Sequence, residues 1–151
     1  MSLPSEKTFS QFEKLYWKLS KNMSYIWKGI FEQRFPGSQS HLLFLLERSG
    51  PKKMSELADS LHLTPGAVTI ASEKLIDNGY IARIRDEKDR RVVFLEMTIK
   101  GREALAEVQN EGRKAMKLVF SHLSETDVDF LIGTFERAVK NIDDLRKGND
   151  K

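Results

Sequence analysis

Apolar residues recur along the opening stretch of the chain at alternating steps of three and four: Phe9, Phe12, Tyr16, Leu19, Met23, Ile26 and Ile30. That spacing is the seam of a coiled-coil-like helix. Phe31 and Phe35 prolong it until Pro36-Gly37 breaks it, which predicts a first helix over about residues 6–34. Trp17 and Trp27 lie off the strict seam and widen the apolar surface, which either a partner subunit or other parts of the same chain must cover. Ser38 is placed to cap a short, strongly apolar helix that stops at Gly50-Pro51, and Ser55 to cap the next, with Leu57, Ala58 and Leu61 turned inward. His62-Leu63 then makes a tight turn into a further short helix, so the pair is a helix-turn-helix candidate.

The second helix of that pair is punctuated at both ends. Thr64 is its N-cap, Pro65 its first residue, and Gly79 is suited to the left-handed position after its last turn. At about 100° per residue, Val68, Ala71, Ser72 and Leu75 share a small, apolar packing side. The opposite side carries Gly66, Ile70, Glu73 and Asp77, flanked by Ala67, Thr69 and Lys74. A two-armed ribbon follows, IARIR and RVVFL, around the charged turn Asp86-Glu87-Lys88-Asp89-Arg90. Beyond Met97 the periodicity is again helical, with Leu105, Val108, Gly112, Met116 and Val119 on one side. Ser124-Glu125-Thr126-Asp127 resets a helix start, and Val128, Leu131, Phe135, Ala138, Ile142 and Leu145 form a last seam.

Long seams at both ends around a compact middle fit a helical dimerisation region, although an intramolecular bundle would satisfy the same pattern. The chain is read as one domain over residues 1–151. Residues 6–34 and 99–147 supply the dimerisation helices, and residues 38–97 form the middle part. The fold class expected is mainly α (α+β), a winged helix-turn-helix.

Composition narrows the functions open to such a fold. Of 151 residues, 40% are hydrophobic and 31% charged, enough for a real core, and the net charge of +3 permits an anionic partner without demonstrating one. There is no cysteine, which removes disulfides, thiolate nucleophiles and cysteine-based metal or redox sites. No apolar run approaches the roughly 18 residues of a membrane span, and no leader pattern opens the chain, so no membrane partner and a cytoplasmic location are expected. His41, His62 and His122 are scattered, and no HExxH, GxSxG, GxGxxG or P-loop pattern is present. Neither an enzyme nor a cofactor or metal is expected.

The expected partner is double-stranded DNA. In a helix-turn-helix the N-terminal part of the second helix enters the major groove, which brings Thr64, Pro65, Gly66, Ala67, Thr69 and Ile70 to bases, with Lys74 at the flank. These side chains are short, so the helix can lie deep; Ala67 and Ile70 suit thymine methyl groups, and threonine hydroxyls suit phosphates or base edges. The ribbon adds Arg85, Lys88, Arg90 and Arg91, and a turn holding arginines can place one in the adjacent minor groove. Pairing of Asp89 with Arg91 would fix that arginine's direction. The competing reading is a winged-helix module whose charged hairpin docks another protein.

Taken together, SELADSLHLTPGAVT, EKLIDNGYIARIRDEKDRRVVFLEMTIKG, Gln39 at the start of the second helix and the long terminal helices resemble the MarR family (multiple antibiotic resistance regulators) of winged-helix transcription factors. The resemblance covers nearly the whole chain, and its most specific part is the Asp-Arg-Arg wing followed by an apolar strand and Thr98-Ile99-Lys100-Gly101. It implies a homodimer with interlocked terminal helices, acting as a repressor on a pseudo-palindromic operator. It implies a groove-inserting role for Arg91 beside the wing aspartate Asp89, and matches Glu73-Lys74 to the family's acidic-basic pair. It also implies release by a small-molecule effector, for which Trp17, Met23 and Trp27 are the candidate pocket walls. Ile70 departs from the arginine many members carry after Val-Thr, so that arginine's contact does not transfer.

Overall fold

The computed structural model describes residues 2–149. It contains α1 (Glu6–Arg34), α2 (Gln39–Ser49), β1 (Lys52–Lys53), α3 (Met54–Leu61), α4 (Pro65–Asp77), β2 (Ile81–Arg85), β3 (Val93–Met97), α5 (Ile99–Val119) and α6 (Glu125–Asn149). The residues up to Lys114 form one compact unit and those from Ala115 onward a second.

The ends of these helices follow from side-chain chemistry. Ser5 caps α1 by accepting from the Thr8 amide at 3.2 Å, and Phe35, just before Pro36, closes it through its own amide to the Phe31 carbonyl. Ser38 stands at the N-cap of α2 but makes no side-chain cap bond, while Gly50 ends that helix with φ of +74°. Ser55, expected to cap α3, lies inside it. The cap lies two residues earlier because Glu56 reaches back to accept from the Lys53 amide at 3.2 Å, leaving Lys53 as the cap residue.

The helix-turn-helix is α3 and α4. His62 adopts the left-handed conformation, φ +53°, and Leu63 donates to the Ala58 carbonyl at 3.0 Å, which reverses the chain within two residues. Thr64 Oγ1 then accepts from the Ala67 amide at 3.2 Å, with Pro65 in the first turn. At the far end Gly79, φ +78°, donates to Ile76 and Tyr80 donates to Leu75, the paired bonds of a Schellman stop.

Three antiparallel strands form a sheet in the order β1-β3-β2. The register pairs Ile81 with Met97, Arg83 with Leu95 and Arg85 with Val93, while Lys53 pairs with Phe94. The second arm of the ribbon therefore starts two residues later than RVVFL indicates, and Arg91 belongs to the turn. The Asp86 amide still donates to the Val92 carbonyl in register at 3.0 Å, but the Val92 amide turns to the Asp89 carbonyl, also at 3.0 Å, and ends the pairing there.

The core of the first unit gathers Phe35, Leu42, Leu43, Leu57, Val68, Leu75, Ile81, Leu95 and Leu105, all but fully buried. Val68, Ala71, Ser72 and Leu75, the packing side read from the sequence, are all buried, and the Ser72 hydroxyl donates to the Val68 carbonyl at 2.6 Å. That bond satisfies its one buried polar hydrogen. α1 leaves Phe9, Phe12, Tyr16, Trp17 and Leu19 exposed. In the second unit, α6 is started by Ser124 and Asp127, which exchange backbone-to-side-chain bonds at 2.9 and 3.1 Å, and it leaves Val128, Phe135, Ile142 and Leu145 exposed.

Candidate nucleic-acid interface

The outward side of α4 is built from backbone and small side chains. Thr64, Pro65, Gly66, Thr69, Ile70 and Lys74 are exposed and Ala67 is half-buried. The two threonines are not equivalent. Thr64 uses an oxygen lone pair to cap the helix, so its hydroxyl hydrogen stays free to donate outward. Thr69 donates its hydroxyl hydrogen to the Pro65 carbonyl at 2.9 Å, so it presents only acceptor and methyl to a ligand. Ile70 is 62% exposed at the centre of this side. With Ala67, Ala71 and Lys74 it forms one wall of an open groove of about 370 Å³, whose other wall is Pro36 to Gln39.

The wing is organised by two aspartates. Asp86 Oδ1 accepts from the Lys88 amide at 2.9 Å. Asp89 Oδ1 accepts from both the amide and Nε of Arg91, at 3.1 and 3.0 Å, while its Oδ2 accepts from Nη2 at 3.1 Å. This fork-to-fork pair uses two guanidinium hydrogens and leaves the others, on Nη1 and Nη2, directed away from the protein. The Arg91 side chain is 92% exposed. Pairing lowers the Asp89 carboxyl below its usual value, the Arg91 guanidinium contributing most and its amide next, and raises Arg91 further above its own.

Arg85 is exposed and also has a contact within the wing. Its Nη1 donates to the Arg90 carbonyl at 3.0 Å, so the guanidinium spans the base of the wing. Lys88 and Arg90 are exposed. Lys53 was not singled out from the sequence, because a two-residue strand has no periodicity to reveal it. It places Nζ 5.8 Å from the centroid of the Phe94 ring and adds its positive field to Asp89.

Of the three candidate pocket walls, Trp17 is exposed and Met23 half-buried. Trp27 stacks on Phe31, centroids 5.9 Å apart, and lies against Gly112 of α5 with no space for a Cβ between them. One face of its indole is thus used within the first unit. Among the described residues there is no group of three or more His, Cys, Asp or Glu disposed to hold a metal ion.

A tight helix-turn-helix joined to a three-stranded sheet whose β2–β3 hairpin projects a solvated, carboxylate-held arginine defines a winged helix-turn-helix. Residues 36–93 match the model of the MarR family. A Bacillus subtilis HTH-type transcriptional regulator, YkoM, whose function is uncharacterised, is 34% identical over 107 residues, 71% of this chain and 70% of the relative. Among solved structures, the YusO protein from Bacillus subtilis superposes with a TM-score of 0.78 at 24% identity, over 91% of this chain and 99% of that one. Streptococcus pneumoniae FabT, solved in complex with DNA, superposes with a TM-score of 0.62 at 23% identity, again over 91% and 99%. The chain belongs to the MarR family of winged-helix transcriptional regulators.

Proposed function

We propose that this chain binds double-stranded DNA as a homodimer, recognises a pseudo-palindromic operator and represses transcription by occupying it. The observation that carries this reading is the Asp89–Arg91 fork. A guanidinium held rigid yet almost wholly solvated contributes nothing to the core, and it stands on the hairpin next to a helix with a small, exposed N-terminal side. α4 enters the major groove with Thr64, Pro65, Gly66, Ala67, Thr69 and Ile70; Arg91 anchors in the flanking minor groove, and Lys74, Lys88 and Arg90 serve phosphates. Arg85 braces the wing through the Arg90 carbonyl and keeps its other guanidinium hydrogens for a phosphate. The DNA held by the structurally similar FabT supports the same use of the fold.

Dimerisation is supported by the exposed aromatic and aliphatic residues of α1 and, separately, of α6, far more apolar surface than a monomer ordinarily leaves open. Two-fold symmetry of the protein then requires half-sites about one helical turn apart, roughly 10 base pairs centre to centre.

The deciding experiment is selection of bound duplexes from a random library, followed by titration of the recovered motif across a range of salt. A symmetric motif and a steep linear fall of log affinity with log salt are expected, because each neutralised phosphate releases counterions. A flat salt response, or no motif, would instead favour a wing used for docking another protein.

A further inference from the structure

Three successive carbonyls at the end of α4 are all taken by the start of α5. Lys100 Nζ donates to Asn78 at 2.8 Å, the Thr98 hydroxyl to Gly79 at 2.6 Å, and the Thr98 amide to Tyr80 at 3.0 Å. Thr98 Oγ1 also accepts from the Gly101 amide at 3.0 Å, and a Cβ at Gly101 would collide with the Tyr80 carbonyl, so the two backbones are in direct contact. The Tyr80 ring then meets three side chains from outside α4. Lys100 Nζ stands 5.4 Å from its centroid, the Arg34 guanidinium 5.9 Å, and Phe35 packs edge-on at 5.3 Å. Arg34, the last residue of α1, is itself paired with Glu107 on α5. Two cations from two different long helices thus share one aromatic ring at the base of the reading helix.

None of these side chains lies on the outward face of α4 or in the wing, and burial alone does not account for two cations at one ring. A cation over a ring at an exposed site adds only a little to stability. Its directional value is larger: the ring is held between α1 and α5, and its own backbone is the stop of α4. A rigid element held at one end by two others turns when they turn.

We propose that Tyr80 is a positioning residue, a clasp through which α1 and α5 set the angle of the reading helix, so that DNA affinity depends on it without any contact to DNA. The proposal rests on the DNA-reading function above. Its test uses the full-length protein and a labelled duplex carrying the selected motif, with affinity and its salt slope both measured. Tyr80→Leu removes the ring and should weaken binding about three- to thirtyfold, the range of couplings carried through packed networks. The salt slope should stay that of the wild type, because no phosphate contact is lost. Tyr80→Phe keeps the ring face and should retain most of the affinity. If Tyr80→Leu does not fold, Lys100→Gln carries the same test, since it removes one cation and the bond to Asn78 at an exposed position. Binding within twofold of wild type for the variant that folds, equal losses in the Phe and Leu variants, or a slope reduced by about one phosphate would overturn the clasp. A wild type that shows no salt-dependent duplex binding would overturn the DNA reading instead.

Discussion

Trp27 lies against Gly112 so closely that a methyl group at position 112 would overlap the Cε3–Cζ3–Cη2 edge of its indole. A glycine in the interior of α5 costs the helix about 1 kcal/mol relative to alanine, so helix propensity alone favours its replacement. Packing reverses the sign. Gly112→Ala should destabilise the protein by about 1–3 kcal/mol, as overpacked sites do. A thermal midpoint equal to or above the wild type would show that the indole can move aside at little cost.

Arg91→Ala should weaken binding to the selected motif by about tenfold or more and relax the preference at its flanking positions. Asp89→Asn, which keeps the shape but loses the second charge-assisted bond, should fall between the alanine variant and the wild type. Unchanged affinity for Arg91→Ala in anisotropy titrations would remove the wing from the interface.

The same pair has a predictable pH response. The folded-state pKa of Asp89 is lowered by Arg91, so the interaction is fully present above the ordinary carboxylate value and is lost only as pH falls through the lowered one. The Nε resonance of Arg91, followed by NMR, should therefore keep its paired shift on acidification past about pH 4, where free aspartate protonates. Loss of that shift near neutral pH would contradict the assignment.

Ile70→Arg should alter the selected motif while leaving stability within about 0.5 kcal/mol, because the side chain is exposed and caps nothing. The arginine would stand at the centre of the face expected to meet bases, where a bidentate contact to guanine is the commonest specific one. An identical motif recovered from both proteins would take Ile70 out of the reading set.

Much of this architecture was legible from local pattern. The bounds of α1, a tight turn at His62-Leu63, the cap of α4 by Thr64, its stop at Gly79 and the four residues of its packing side each follow from a periodicity or from the local preference of a residue or two. The exceptions have equally physical causes. α3 starts before Ser55 because a glutamate further on supplies the capping bond to Lys53. The second arm starts at Val93 rather than Arg91 because the Val92 amide is taken by the Asp89 carbonyl within the turn. β1 is two residues long and carries no periodic signal.

The sequence by itself determined which segments are helices and, for α3 and α4, which side faces inward, because those depend on neighbours within a few residues. It also placed Asp89 two residues from Arg91, close enough that their pairing needs only a turn. Only the tertiary structure decided that Arg85 braces the wing, that Thr69 directs its hydroxyl hydrogen into its own helix, that Trp27 is seated on Gly112, and that Arg34 and Lys100 converge on Tyr80. Most of these contacts join residues distant along the chain, and the two local ones depend on which of several open acceptors a side chain finds once packing is complete. No spacing in one dimension encodes that choice.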